Sequence, residues 1–202
     1  MTKDQAEALA AAINLKRSDL PGYRATPSTS SGEDSKEDQR LNRCAGGVPD
    51  SKDVAKEDSP DFSTGGGTRV RQVSSTVSVL PTAALAAKDL AAVKSTRGRS
   101  CFRTFVNALL AKAGNGQVSF SKARVTPFQP ATNGTDGAFG YRVRVTARGN
   151  GIRIPFFVDG LGFTKGPVEV ALNVMSIGKR FPTTDEQRLL TVLVNRAQGQ
   201  AS

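Results

Sequence analysis

Apolar residues recur with helical spacing in four stretches of the chain. The first stretch covers residues 3–14 and the last covers residues 183–198. Between them lie two adjacent helical patterns, over residues 82–93 and 100–113. The pattern over 100–113 includes a wide apolar stripe, which is typical of a helix that packs into a core. The residues of this stripe are Cys101, Phe102, Phe105, Val106, Leu109 and Leu110.

Alternation of apolar and polar residues predicts strands in the other ordered parts of the chain. A segment rich in Val, Ser and Thr over residues 69–80 is typical of a half-buried strand. Four more strands are predicted over residues 117–125, 139–148, 152–158 and 168–177, joined by turns that contain Gly or Pro. The pattern therefore predicts an α+β fold, with an antiparallel sheet of about five strands and helices packed on one face.

The segment over residues 26–67 differs from the rest in composition. It is dominated by Ser, Thr, Gly, Pro and charged residues, so it can bury too little apolar surface to offset the entropy of ordering it. We therefore predict a single domain in three parts. An N-terminal helix and turn cover residues 1–25, a polar and partly disordered loop covers residues 26–67, and the α+β body covers residues 68–202.

The charge of the chain is strongly positive and unevenly spread. Its 202 residues include 28 Lys and Arg against 18 Asp and Glu, a net charge of +10. Residues 1–62 carry a net charge of −3 (9 basic, 12 acidic), and residues 63–202 carry +13 (19 basic, 6 acidic). A basic body is suited to an anionic partner, although scattered Arg and Lys also simply keep a domain soluble.

Composition excludes several classes of site. With no His and two Cys, the chain cannot form a His-containing zinc site or use His in acid–base catalysis. No apolar run approaches the roughly 20 residues of a membrane-spanning helix. The chain has no Trp, and few aromatic residues lie among its basic residues, so we expect no nucleic-acid partner. We also expect no cofactor.

One short motif resembles a catalytic pattern. Ser119 and Lys122 have the Ser-x-x-Lys spacing of some acyl-transferring enzymes. The motif falls in a predicted strand, where these two side chains would point to opposite faces, and the partner motifs of those enzymes are missing. We therefore predict that the chain is not an enzyme.

Arginines form a candidate anion-binding or ligand-binding site. Arg142, Arg144 and Arg148 share one face of the strand over 139–148, and a hairpin would bring Arg153 beside Arg144 or Arg148. Like charges opposite one another cost free energy unless an anion or a carboxylate compensates them. The alternative is a solvated face whose Arg side chains cover apolar surface with their aliphatic parts.

The two cysteines are candidates for a disulfide. Cys44 lies in the predicted polar loop and Cys101 in a predicted helix, 57 positions later. A bridge would tether the loop to the body, and closing a loop of this length would stabilise the fold by roughly 4 kcal/mol. The alternative is a pair of unrelated buried thiols.

Several short motifs along the chain are similar to those of one known family. They are the segment from Ser18 to Gly22, Cys44 in a polar segment, the strand from Val73 to Val79, Cys101 in the second following helix, and the closing segment from Phe181 to Ala197. Through these residues the chain resembles the actinobacterial extracytoplasmic sensor domains. That family includes the C-terminal extracellular domains of PknH-type serine/threonine kinases and related lipoproteins.

The resemblance implies a twisted antiparallel sheet, a location outside the membrane, a ligand bound in a groove, and pairing of Cys44 with Cys101. The chain departs from the family in having fewer cysteines and in having Tyr23 near the Leu-Pro turn where a Trp is usual. The groove residues of the family are therefore not carried over. The resemblance also implies that any membrane anchor lies outside this chain.

Together these observations predict a non-enzymatic extracytoplasmic sensor or ligand-binding domain of the bacterial cell envelope. Its partner would be a small molecule or an anionic component of the envelope. The alternative is a basic interaction module that docks on an anionic polymer or a partner protein.

Overall fold

The computed structural model describes the chain in four ranges, and for residues 32–38 it describes the backbone alone. The ranges are residues 1–28, 32–114, 117–149 and 151–200. Within them the α-helices are α1 (Lys3–Ile13), α2 (Gly32–Ala45), α3 (Ala83–Lys94), α4 (Thr96–Ala113) and α5 (Thr183–Gln200). The first strands are β1 (Arg24–Thr26), β2 (Ala55–Asp58), β3 (Asp61–Thr64) and β4 (Arg71–Val79). The later strands are β5 (Ser119–Phe120), β6 (Arg124–Phe128), β7 (Gly137–Gly149), β8 (Ile152–Lys165) and β9 (Val168–Ile177). Short 3-10 turns cover Arg17–Asp19 and Asp50–Lys52.

All of the strands belong to one antiparallel sheet. Its order is β1-β3-β4-β9-β8-β7-β5, with β2 also paired to β4 and β6 also paired to β7. The α+β class is confirmed, but the predicted sheet of about five strands is wrong, because the described residues form nine. Strand β8 also runs through the turn expected after residue 158, and the strand predicted over 117–125 is two short strands.

The segment over residues 26–67 contains more regular structure than a polar loop. It includes α2, β2 and β3, and both strands pair with β4. Phe62 of β3 lies opposite Val73 of β4 and is completely buried. The long strand β4 supplies the backbone partners that the local sequence cannot provide, so few apolar residues suffice to order these strands. Residues 29–31, within the part expected to be disordered, lie outside the described residues.

Helices pack on both faces of the sheet, so the prediction that they cover one face is wrong. On the first face, α1 and α5 enclose a continuous core with apolar residues of β4, β8 and β9. The α5 residues Leu189, Leu190 and Leu193 are fully buried in this core. Each such side chain contributes roughly 2 kcal/mol through burial. We call this side the α1/α5 face.

The opposite side, which we call the α3/α4 face, is covered by α3 and α4. The two helices meet at a sharp junction, where the Ser95 hydroxyl caps α4 by accepting a 2.8 Å hydrogen bond from the Gly98 backbone. A Cβ atom at Gly98 would lie 2.2 Å from the carbonyl oxygen of Ala92. Glycine at position 98 therefore allows the start of α4 to approach the end of α3 closely. Helix α4 begins at Thr96, earlier than the predicted start at Ser100.

Candidate functional site

The apolar stripe of α4 packs into a core only in part, because Phe102, Val106 and Leu110 pack against a buried cluster of the sheet while Phe105 and Leu109 do not. Of its six residues only Cys101 is buried, and Leu109 is 39% exposed. The remaining four side chains are half-buried. The apolar stripe of α5, on the other side of the same sheet, is fully enclosed. The two helices have similar apolar patterns, so the difference lies in what each of them faces.

Helix α4 faces a cavity of about 590 Å³ between itself, α2 and the sheet. Pockets that hold small ligands have volumes of about 300–1,000 Å³ and are lined mainly by apolar side chains. From the helices, the cavity is lined by Leu41, Ala45, Phe102, Phe105, Val106 and Leu109. From the sheet, it is lined by Tyr141, Val143, Val145, Phe156, Val158 and Met175. Both the volume and the lining suit an apolar ligand.

Alternation along β7, β8 and β9 supplies the floor of the cavity. Val143 lies opposite Val158, which in turn lies opposite Met175, so the three side chains form a row across the sheet. Gly160 continues the floor along β8. A Cβ atom there would have one contact within 4 Å, Asn173 Oδ1 at 3.5 Å. The missing side chain of Gly160 therefore leaves part of the cavity open.

Aromatic rings form one end of the cavity. The Phe102 and Tyr141 rings are stacked with their centroids 5.2 Å apart, so α4 and β7 are in contact here. The Tyr141 hydroxyl donates a hydrogen bond to the carbonyl oxygen of Val93. Burial raises the pKa of Tyr141 above its usual value, so the phenol stays neutral. This end of the cavity is thus held by α3, α4 and β7 together.

A disulfide between Cys44 and Cys101 holds α2 against α4, with their Cα atoms 5.8 Å apart. The predicted pairing is confirmed, but the bridge joins two helices and does not tether a loop. Leu41 and Ala45, close to Cys44 on α2, line the cavity. The Arg97 Nε atom also donates a 2.6 Å hydrogen bond to the carbonyl oxygen of Cys44. The disulfide therefore fixes one wall of the cavity.

Among the four predicted arginines, Arg142 stands apart because its charge is compensated within the protein. Its Nε atom lies 3.6 Å from Asp159 Oδ2 and its Nη2 atom 3.9 Å from Glu186 Oε1. Its guanidinium group also stacks over the Phe128 ring, 4.1 Å from the centroid. Arg180 completes the cluster with a 2.5 Å contact from Nη2 to Asp159 Oδ2.

Two carboxyl groups in this cluster are buried side by side. Asp159 and Glu186 are each 3% exposed. Burial, followed by the neighbouring Asp159, raises the pKa of Glu186 to about 7, while Arg142 and Arg180 act in the opposite direction. Thr183 and Glu186 have the spacing of a capping box, but the Glu186 side chain faces the sheet. The cluster links α5 to β7 and β8.

The other three arginines are exposed on the same face of the sheet, with Arg144 and Arg148 on β7 and Arg153 on β8. Arg148 is directly opposite Arg153, and Arg144 is opposite Phe157, with its Cζ atom 5.7 Å from that ring centroid. Arg124 of β6 lies opposite Arg144, which the sequence did not predict because β6 could not be paired from its own pattern. Within the described residues, none of these four arginines forms an ion pair. Their binding of an anion stays a prediction.

Ser119 and Lys122 line a separate groove of about 790 Å³ beside α4 and β5, together with Arg103. The Ser119 hydroxyl is directed at the carbonyl oxygen of Arg148, 3.5 Å away. Among the described residues, no group of three or more acidic or Cys side chains could hold a metal ion. Nor does any described helix combine the length and apolar character needed to cross a membrane.

A second group of carboxyl side chains with raised pKa values lies around Glu169 of β9. Burial, followed by Asp89, Asp53 and Asp50, raises the pKa of Glu169 to about 8. Burial also raises the pKa of Asp53 to about 6. The sequence did not indicate this cluster, since its members come from a turn, α3 and β9.

No protein-family model matches the chain, and no curated protein matches it. Among solved structures, the chain is similar to the extracellular domain of PknH from Mycobacterium tuberculosis. The two share 15% sequence identity and a TM-score of 0.46 over 96% of this chain and 97% of that one. A likeness at this level carries no argument about function.

Proposed function

We propose that this chain is a non-enzymatic, extracytoplasmic ligand-binding domain that holds an apolar ligand in the cavity between α2, α4 and the sheet. The contrast between α4 and α5 carries this proposal. A stripe that served only for packing would be enclosed, as Leu189 and Leu193 are. Instead, Phe105 and Leu109 line about 590 Å³ of space. Unfilled apolar space loses packing contacts, and a ligand would restore them.

Two observations support a location outside the cytoplasm. Disulfides form and persist mainly in oxidising compartments, and a disulfide joins Cys44 of α2 to Cys101 of α4. The motifs shared with extracytoplasmic sensor domains agree with this location. Purified protein should therefore retain the bridge without added oxidant. Two free thiols in protein prepared without reductant would contradict the proposed location.

The lining indicates the chemistry of the ligand. Apart from the amide side chains of Asn42 and Asn173, it consists almost wholly of aliphatic and aromatic groups. Asn42 Nδ2 is already engaged, donating a 2.7 Å hydrogen bond to Asp50 Oδ1. Each methylene group buried from water contributes roughly 0.8 kcal/mol. A hydrocarbon chain or a ring system of moderate size is the ligand class that such a lining favours.

A chain-length series tests the proposal. Displacement of a fluorescent polyene fatty acid by saturated fatty acids, and by the matching alcohols, should become about tenfold tighter for every two carbons added, until the cavity is full. The same compounds should raise the thermal unfolding midpoint, because a ligand that binds the native state stabilises it. Absence of binding by both headgroup series would overturn the proposed function.

Gly160→Ile provides a variant that fills the cavity without removing a contact. The new side chain would point into the open floor, and a β-branched residue suits a strand. We expect the fold to be kept and ligand affinity to fall at least about tenfold. Gly66→Ala is a matched control, because that exposed glycine has nothing within 4 Å of its Cβ position and lies outside the cavity. Undiminished binding by Gly160→Ile would place the ligand elsewhere.

The absence of catalysis is part of the proposal. The Ser119 hydroxyl faces a backbone carbonyl, and the chain contains no His to serve as a base. If purified protein hydrolyses esters and Ser119→Ala abolishes that activity, the proposal of a non-enzymatic domain is wrong.

The alternative function, docking on an anionic polymer or a partner protein, depends on the exposed arginines alone. This alternative function does not explain the cavity, so we favour ligand binding. Salt separates the two functions. Polymer binding should weaken steeply as ionic strength rises, whereas an apolar ligand should be almost insensitive.

A further inference from the structure

The hairpin of β7 and β8 extends past its neighbour β9. The last pair between β8 and β9 is Phe156 with Ile177, whereas β7 and β8 remain paired as far as Gly149 with Ile152. Four residue pairs therefore extend beyond β9, a distance of about 13 Å. The outer part of the hairpin, which we call the ribbon, is therefore unpaired with β9 along its β8 edge, while β5 pairs with Ala147 and Arg148 along its β7 edge.

The ribbon and its base carry a compact group of positive charge. Arg148 and Arg153 lie directly opposite one another near the tip, and Arg124 and Arg144 do the same nearer the base. All four are exposed, and in the described part of the chain none is paired with a carboxylate. Like charges placed in this way cost free energy in the isolated protein and gain it beside an anion. Arg142 lies on the same face of β7, but its charge is compensated within the chain by Asp159 and Glu186.

The opposite face of the ribbon is apolar. Ile152 is 60% exposed at the tip, although isoleucine is usually buried. Ile154, two residues along β8, shares its face and is half-buried. A soluble anionic polymer would offer no contact for these two residues. A bilayer surface offers both an anionic headgroup layer and, just beneath it, hydrocarbon.

We propose that the β7–β8 hairpin docks this domain on an anionic lipid bilayer. Arg148 and Arg153 contact lipid phosphates, Arg124 and Arg144 extend the basic surface, and Ile152 enters the boundary between headgroups and acyl chains. The proposal is independent of the cavity. The two features are nevertheless connected, because Val145 and Phe156 of the cavity floor are paired about 13 Å from the tip on these same two strands.

Vesicle binding tests the proposal with the whole chain. Sedimentation with phosphatidylcholine vesicles, with and without an equal part of phosphatidylglycerol, should show binding to the anionic vesicles only. Rising salt should weaken that binding. Each arginine near the surface should contribute about fivefold in affinity, so Arg148→Gln with Arg153→Gln should weaken binding about thirtyfold.

Two further variants complete the design. Ile152→Ser removes the apolar contact without changing charge and should weaken vesicle binding about tenfold. Lys52→Gln with Lys88→Gln is the matched control, because it removes two exposed charges at the other end of the sheet. The control should bind vesicles like the unmodified chain, since charges beyond a Debye length of about 10 Å are screened. Unchanged circular dichroism would confirm that each variant is folded.

Three outcomes would overturn the proposal. The first is equal binding to neutral and anionic vesicles, and the second is no binding to either. The third is binding of soluble polyphosphate as tight as that of vesicles, with Ile152→Ser having no effect, which would identify a polymer as the partner. None of these outcomes bears on the cavity, because the fatty-acid series is measured without vesicles.

Discussion

Asp159 on β8 accepts a 2.5 Å hydrogen bond from the guanidinium group of Arg180, which reaches it from the segment between β9 and α5. The Asp159 side chain is almost fully buried, and Arg142 contacts it from the neighbouring strand. We expect Asp159→Asn to lower the free energy of unfolding by about 2 kcal/mol. The reason is that both guanidinium groups, each about one-third exposed, would lose their compensating charge.

Urea denaturation of Asp159→Asn measures this loss, with Asp4→Asn on the exposed surface of α1 as the control for removing one carboxylate. The control should change stability by no more than about 0.5 kcal/mol. Equal effects of the two substitutions would show that the charge cluster contributes nothing specific to the fold.

The stability of the fold should fall between about pH 5 and pH 9. Burial raises the pKa of Glu169 to about 8 and that of Glu186 to about 7, above the unfolded values near 4.5. A raised carboxyl pKa means that the native state holds a proton that the unfolded chain has released. Its contribution is present below pH 4.5 and is lost as pH rises through the native pKa.

Glu169→Gln tests this pH dependence because the amide resembles the protonated acid. Relative to the unmodified chain, the variant should be more stable by roughly 1–2 kcal/mol at alkaline pH and nearly equal in stability at acidic pH. Urea midpoints across this pH range provide the measurement. A variant that is less stable at every pH would contradict the raised pKa of Glu169.

The disulfide should affect both stability and ligand binding. Cys44→Ser with Cys101→Ser is expected to lower the free energy of unfolding by about 2–4 kcal/mol, because the unfolded chain regains the entropy of a 57-residue loop. It should also weaken binding of the fatty-acid series, since α2 would no longer be held against the cavity. Denaturant titration and probe displacement on the same preparation separate the two effects. Full affinity in a folded double variant would exclude α2 as a wall of the site.

The sequence predicted those elements whose pattern of apolar residues is regular. Strand β9 matches its predicted bounds, and α1, α3 and α5 match to within two residues. The prediction failed where a distant residue determines the local structure. Gly162 indicated a turn, yet it lies within β8, because the Phe139 ring packs over it and a Cβ would come within 2.3 Å of Phe139 Cε1. Likewise, β2 and β3 are ordered by pairing with β4, which their own composition does not reveal.

The same limit applies to the candidate site. The pairing of Cys44 with Cys101 could be inferred, and so could the shared face of Arg144 and Arg148. The compensation of Arg142 could not, because Glu186 is 44 positions away and its orientation depends on how α5 packs. A helical pattern identifies an apolar stripe but does not show whether the layer opposite is filled. The cavity beneath α4 therefore appears only in three dimensions.

Alanine substitutions in α5 and α4 should distinguish the filled core from the ligand cavity. Leu193 is fully buried in α5, and Leu193→Ala should lower the free energy of unfolding by about 2–5 kcal/mol, the usual effect of truncating a buried leucine.

Leu109 on α4 lines the cavity and is 39% exposed. Leu109→Ala removes the same atoms from a partly exposed position, so its effect without ligand should stay below about 1 kcal/mol. With a saturating fatty acid, the unmodified chain should gain more stability than Leu109→Ala, because the ligand restores contacts with that leucine. Equal losses for the two variants without ligand would mean that α4 packs as tightly as α5.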